Sequence, residues 1–264
     1  MSRIHPVAAA GFGSAADVYE RARPSYPADA VAWIAEQAQL GPGRTVVDVG
    51  AGTGKLTRLL LPTGARVVAV EPVPEMRAKL VETTPGAEAL DGTAEELPLE
   101  DASADVVTVA QAFHWFDLDE ALPELYRVLR PGGLLILIWN SRDLEDPLQA
   151  AIEELLRPLR GSLSAQQEGA WRGPLERSPL FGPGRQAVFR YDQQMTADDV
   201  CDRVTSTSFV AAMRPVEREE LLVRVRSATY GLTEPFPFRY QTDVHAIPRS
   251  SDRGDFERGT STEG

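Results

Sequence analysis

Apolar positions along the chain fall into two alternating patterns: short β-branched runs, and longer stretches at helical spacing. Val31, Ile34, Ala35 and Ala38 share one face of a predicted amphipathic helix over 28–40, which Gly41-Pro42-Gly43 ends. Thr45–Val49 (TVVDV) reads as a buried strand carrying one acid, Asp48. Lys55–Leu61 then places Leu56, Leu59 and Leu60 on a helix. Arg66–Val70 predicts a second strand, and Pro74 opens a helix through Leu80. Ala87–Asp91 and Ala104–Ala110 predict the third and fourth strands. Leu122, Leu125, Val128 and Leu129 form the apolar face of the next helix. Asp117 and Glu120 are a candidate capping box for it, and Pro123 predicts an irregular first turn. Pro131-Gly132-Gly133 stops that helix, and Leu134–Trp139 predicts a fully buried fifth strand.

Beyond Asn140 the pattern weakens. Helices are predicted over 148–159, from Thr196 with Asp199 as its capping partner, and over 216–230. Strands are predicted at Arg185–Met195 and Phe236–His245, with loop or short helices over 160–174. Residues 1–16 read as a loose arm and 249–264 as a disordered polar tail. Strands alternating with helices give an α/β class.

The chemistry concentrates in Gly50-Ala51-Gly52-Thr53-Gly54, between the first strand and its helix. A strand feeding a side-chain-poor turn and then a helix is the first half of a nucleotide-binding unit. Glu71, at the end of the second strand, is placed to accept from both hydroxyls of a ribose. The spacing is not that of a dinucleotide site, since Lys55 stands where the third glycine would be, and no P-loop pattern is present.

Asp48-Val49-Gly50-Ala51-Gly52-Thr53-Gly54, followed by Glu71, resembles the first motif and ribose acid of class I S-adenosylmethionine (SAM) methyltransferases. Gly92-Thr93-Ala94-Glu95-Glu96-Leu97-Pro98 and Leu129-Arg130-Pro131-Gly132-Gly133 resemble later blocks of that family, in the right order. The resemblance covers roughly residues 17–140 and is nearest to the methyltransferase domain 11 group. Arg23-Pro24-Ser25-Tyr26-Pro27 and Ala112-Phe113-His114-Trp115-Phe116 resemble the branch that includes trans-aconitate methyltransferases.

The resemblance implies a doubly wound, mostly parallel seven-stranded sheet with an antiparallel last strand, a Rossmann-like fold. It implies one domain over 1–248, with a SAM-binding core near 41–145, an N-terminal lid near 11–40 and a substrate-side half over 146–248. SAM is the implied cofactor and a small molecule the implied methyl acceptor, with transfer by in-line displacement. Gly50, Ala51 and Gly52 cradle the methionyl part, Asp48 favours its ammonium end, and Gln111 helps hold the donor. The family usually has an acid where Thr93 stands, so the adenine amino group falls to Thr93, to backbone near Ala94, or to Glu95. In the 17–27 segment, Tyr19 and Arg23 either face the ligand or pack on the surface. His114 is the candidate base, or else an orienting residue. Trp115 and Phe116 are expected pocket walls. A non-catalytic SAM-binding regulator and a nucleotide-dependent oxidoreductase are the competing readings.

Composition narrows the partners. A formal charge of −12 over 264 residues disfavours nucleic acid. With one cysteine, Cys201, no intrachain disulfide can form, and three scattered histidines offer no metal site. Cys201 reads as a core residue. No membrane span or signal peptide is visible, which points to a cytoplasmic protein. No pattern encodes an oligomeric state.

Overall fold

The computed structural model describes residue 20 and residues 23–159 and 169–251, except the side chain of residue 208. Helix α1 (Ala28–Gln37) precedes strand β1 (Thr45–Val49), the short helix α2 (Thr57–Leu60), and strand β2 (Arg66–Val70). Helix α3 (Pro74–Thr83), strands β3 (Glu88–Leu90) and β4 (Ala104–Ala110), helix α4 (Leu118–Val128) and strand β5 (Leu129–Arg142) follow. Helices α5 (Pro147–Leu156) and α6 (Arg172–Arg177) lead to strand β6 (Arg185–Met195). Helices α7 (Ala197–Thr205), α8 (Ser208–Ala211) and α9 (Pro215–Ala228) separate it from strand β7 (Phe236–Pro248).

The seven strands form one sheet in the order β3-β2-β1-β4-β5-β7-β6. β1, β2, β3, β4 and β5 pair in parallel, while β7 runs antiparallel to both β5 and β6. This is the expected doubly wound α/β sheet. Its strand order reverses between β1 and β4, and such a switch point opens a crevice at the carboxyl ends of the strands.

Strand alternation sorts the apolar side chains into two cores. Val47, Val49, Val107 and Leu137 face α4 and the Trp171–Leu175 region. Val46, Val67, Val106 and Ile136 face Ala30 and Ile34 of α1 and Leu56 and Leu60 beside α2. A third, smaller core joins α5, α7 and α9 to the ends of β6 and β7, with Val200, Leu221, Phe238 and Tyr240 inside it. Cys201 is buried there.

Several boundaries move for identifiable reasons. The helix expected over 55–61 contracts to α2, because Leu61-Pro62-Thr63 tightens into a 3₁₀ turn closed by Gly64. α4 is continuous through Pro123, so the irregular first turn is not found; the Asp117 carboxylate accepts from Asp119 N (3.2 Å) and caps it. β5 is longer than expected at both ends, as Leu129 pairs with Ala104 and Arg142 with Tyr240. Residues 249 and 250, expected to open a disordered tail, are fastened instead: Arg249 N donates to Gly133 O and Ser250 N to Leu180 O. The rest of that tail (252–264), the whole of the N-terminal arm (1–16) and residues 160–168 lie outside the described residues.

Leu125 is fully buried where α4 meets the sheet. Leu125→Ala should lower unfolding free energy by about 2–5 kcal/mol, measured by urea denaturation, through lost burial and the cavity left behind. A cost near zero would show that α4 does not close this core.

Candidate active site at the carboxyl ends of β1 and β4

The loop after β1 owes its shape to missing side chains. Gly50 has φ +68°, and a Cβ there would stand 2.8 Å from the Ala112 Cβ, with the Phe116 ring 3.6 Å away. Phe116 therefore packs beneath the loop and against Phe113, at 5.8 Å between centroids. It does not line the larger cavity described below, which corrects its expected role as a pocket wall. Gly52 has φ +59°, and a Cβ there would meet nothing within 4 Å. The loop is thus closed on its sheet side and open on its outer side.

Two carboxylates hold this loop. Glu71 follows β2 and accepts from Gly52 N (2.8 Å) and Val73 N (2.9 Å). Burial raises its pKa, against the opposing pull of those two N–H groups. Asp48 is completely buried and accepts from Thr57 Oγ1 (2.6 Å) and Thr108 Oγ1 (2.9 Å). Burial pushes its pKa up to about 6, although both hydroxyls favour the charged form. Its charge acts on the loop from inside the sheet.

A small cavity of about 40 Å³ lies over the loop, lined in part by Gly50, Ala51, Gly52, Arg23, Gln111 and Arg203. Thr93 and Ala94, past the end of β3, and Glu71 do not line it. Thr93 O accepts from Glu96 N (3.3 Å), and Ala94 is buried. The Glu95 carboxylate accepts from Asp117 N (2.9 Å), so it anchors the loop before α4. The N-terminal segment reaches the glycine loop through Glu20, a residue without a sequence signal. Its carboxylate accepts from Thr53 Oγ1 (2.5 Å) and Arg58 Nη1 (2.8 Å). Tyr19 lies outside the described residues.

Beside the loop is a cavity of about 470 Å³. It brings together Arg23, Gln111, His114 and Trp115, all anticipated from the sequence, with Trp139, Asn140, Trp171, Arg203, Tyr240 and His245, which were not. Arg23, Gln111 and Arg203 line both cavities, so the two adjoin. Gln111 has φ +59°, an uncommon backbone state for a residue with a Cβ; its Nε2 donates to Asn140 O (3.1 Å). The indole rings of Trp139 and Trp171 stack at 4.5 Å. The 23–27 segment closes one side: Arg23 Nη2 donates to Ser206 O (2.9 Å), and Ser25 O accepts from Asn140 Nδ2 (2.9 Å) and Tyr191 OH (2.7 Å).

His114 sits in a single 3₁₀ turn, Phe113–Trp115, just past β4. Its ring is 4.8 Å from that of Trp115, and its Nδ1 is buried without a hydrogen-bond partner among the described residues. Burial, and then the Arg23 charge, lower its pKa to about 4. The imidazole is therefore neutral at physiological pH and weakly basic.

The residues found only in the structure come from β5, α6, α7 and β7, far apart in sequence and outside any motif. One signal was available: Arg203 occupies the apolar face of α7, at the spacing of Val200 and Val204.

Residues 47–137 match the methyltransferase domain family. An uncharacterized methyltransferase of Schizosaccharomyces pombe is 35% identical over 212 residues, covering 76% of this chain and 80% of that protein. The chain belongs to the class I SAM-dependent methyltransferases. An uncharacterized methyltransferase of Mycobacterium tuberculosis is 56% identical over 132 residues, which is 50% of this chain and 53% of the relative. The chain thus spans about half the length of the curated relatives it matches at that identity. A solved structure from Anaeromyxobacter dehalogenans, provisionally assigned as a type II methyltransferase, is 26% identical with a TM-score of 0.62, over 86% of this chain and 97% of that one. None of the three names an acceptor, so the narrower trans-aconitate resemblance gains no support from them.

SAM is the cofactor of this family, and the loop suits it. Open space faces Gly52 where the backbone must be approached, and a buried carboxylate stands at the end of β2. Glu71→Ala should weaken binding of S-adenosylhomocysteine by about ten- to a hundredfold in isothermal titration, the loss of about 1.5–3 kcal/mol for a charged acceptor. It should also lower the melting temperature, since Gly52 N loses its acceptor. Unchanged affinity in a folded variant would remove Glu71 from the site.

Asp48 gives a pH-dependent expectation. Its pKa in the fold, about 6, lies above the ordinary 3.8, so its contribution to stability is present below 3.8 and is lost as pH rises through about 6. Cofactor-free Asp48→Asn should therefore melt above wild type at neutral pH, with the gap closing as pH falls through that window. A gap independent of pH would show that Asp48 carries no burial cost.

Proposed function

We propose that this chain transfers the methyl group of SAM to a small-molecule acceptor, at a carboxylate or hydroxyl oxygen. The observation that carries this reading is the junction of the two cavities: a side-chain-poor loop on one side and a partly open, partly aromatic-walled cleft on the other, sharing Arg23, Gln111 and Arg203. On this reading residues 41–145 serve the donor and residues 146–248 furnish most of the acceptor wall.

The bound cofactor would supply an activated sulfonium methyl, the hard part of the chemistry. The protein's part is to bind, orient and exclude water. Gly50, Ala51 and Gly52 would hold the methionyl part, with Asp48 acting from beneath, and Glu71 the ribose. Gln111 would stand between donor and acceptor, its backbone fixed by the pairing of its N–H with Ile138 O (3.0 Å). Trp115, Trp139 and Trp171 would form the dry walls. Holding two reactants in register supplies on the order of 7–11 kcal/mol of such a barrier. His114, neutral and desolvated, would orient the acceptor rather than remove its proton; an acceptor that is already ionised needs no base.

A screen of acidic and phenolic metabolites with labelled SAM tests the reading. Methylation of at least one acceptor supports it. SAM binding with no transfer across the panel would favour a non-catalytic regulator.

With a working acceptor, the wild-type rate should show no limb between about pH 6 and about pH 8 that His114→Gln removes, because the lowered pKa keeps His114 neutral throughout; a limb near pH 6 retained in His114→Gln belongs to Asp48. His114→Gln should raise KM more than it lowers kcat. A rate limb in the histidine range, present in wild type and lost in His114→Gln, would make His114 a general base after all.

A further inference from the structure

The larger cavity has the wrong charge for this protein. The chain as a whole carries a formal charge of −12. The cavity nevertheless gathers four arginines, Arg23, Arg142, Arg172 and Arg203, against two carboxylates, Glu153 and Asp243. Most of these charges are engaged. Arg142 pairs with Glu153 (3.3 Å), Arg172 lies over the Trp171 ring (4.7 Å), and Asp243 accepts from Ser141 Oγ (3.2 Å).

Arg203 is different. It is 9% exposed, and its Nε and Nη1 are both buried without a hydrogen-bond partner among the described residues. Two more buried groups on the same cavity share that state: the Thr207 hydroxyl, four residues on from Arg203, and the Tyr240 hydroxyl of β7. The Tyr240 ring stacks on Tyr191 at 5.5 Å, and Arg203 is close enough for its charge to act on the Tyr191 hydroxyl. Thr207 and Tyr240 line the larger cavity alone, away from the glycine loop.

Buried donors are nearly always satisfied, and a buried guanidinium without a partner is costly. A planar fork of N–H donors that shares its cavity with two unpartnered hydroxyls suits a carboxylate or another oxyanion. We propose that Arg203, Thr207 and Tyr240 form the anchor for an anionic group of the methyl acceptor, so that the substrate class is a small molecule bearing a carboxylate or a comparable oxyanion. This rests on the methyltransferase reading above and adds to it a specificity-determining residue, Arg203, on α7. The group bound here serves as a handle; whether it is also the methylated oxygen is a separate matter.

Thermal melts of the whole chain test this, with succinate as the probe, succinamide as its uncharged counterpart, and sodium chloride at matched ionic strength. Wild type should be stabilised by succinate and not by succinamide or salt. Arg203→Met, close in length and uncharged, should melt at or above wild type without ligand and lose the succinate response. Arg203→Lys should keep part of it. A ligand-free Arg203→Met that melts well below wild type would make Arg203 a structural residue and overturn the proposal. So would a succinate response that persists in Arg203→Met, or none in wild type.

Because Arg203 also lines the smaller cavity, the donor's own carboxylate is the rival source of the anion. Titration with S-adenosylhomocysteine and with 5′-methylthioadenosine, which lacks that carboxylate, separates the two. Unchanged S-adenosylhomocysteine affinity in Arg203→Met supports an acceptor anchor. A loss of about tenfold or more, confined to S-adenosylhomocysteine, would assign Arg203 to the donor and overturn the acceptor assignment. Failure of wild type to bind S-adenosylhomocysteine would count against the methyltransferase reading, whereas the succinate melts judge the anchor separately.

Discussion

A carboxylate sealed inside the sheet organises this molecule. Asp48 is fully buried on β1, the strand beside which the sheet reverses its order. Its two oxygens take hydroxyl hydrogen bonds from Thr57 at the start of α2 and from Thr108 on β4. One side chain therefore ties together the strand before the glycine loop, the helix after it and the strand across the crevice. Burial works against that charge, as its raised pKa shows. Such a cost is tolerated where a site needs negative charge that water cannot screen. The loop above it is then free to present backbone alone.

The second half of the molecule is attached to this frame through the β5–β7 ladder, from Leu134 opposite Pro248 to Arg142 opposite Tyr240, and through specific side-chain contacts. Asn140, at the end of β5, donates to Ser25 O and accepts from Thr242 Oγ1 (2.6 Å), joining the 23–27 segment, β5 and β7. Arg23 reaches across to Ser206, beyond α7. The cavity between the halves is thus bounded by elements drawn from both ends of the chain. Its walls combine the two-sided sheet with the third core of α5, α7 and α9, so its shape depends on how β7 places Tyr240 and His245.

The glycine-loop side was legible in sequence because local rules dictate it. Strands β1, β2, β4 and β6 occupy the residues that β-branched runs and alternation predict. The glycine loop announces itself by composition, and Glu71 by its place after β2. β5 was underestimated because Pro131-Gly132-Gly133 reads as a stop, whereas pairing with β4 and β7 carries extended structure through it. The larger cavity was not legible for a related reason. Trp139, Trp171, Arg203, Tyr240 and His245 are scattered over about two fifths of the chain and meet only through sheet register and helix packing. Phe116 shows the converse: aromatic neighbours in sequence, Trp115 and Phe116, point to different places, one to the cavity and one beneath the loop.

Charge links the two sides. A sulfonium is a cation, and a cavity with more arginine than carboxylate repels it unless an anion is also present. On the proposed reading the acceptor's oxyanion restores that balance, so donor and acceptor would favour each other's binding. Burial, and after it the charge of Arg23, keeps His114 neutral. On the proposed reading such a site would discourage proton abstraction by His114 and suit acceptors that arrive already ionised. The carboxylate class fits both demands with one group, since its ordinary pKa near 4 leaves it charged at neutral pH without help from the protein. A phenol or alcohol would need a base that the described residues do not offer at that position. The unpartnered Nε and Nη1 of Arg203 and the depressed imidazole of His114 thus face one cavity, the first brought by α7 and the second by the turn after β4.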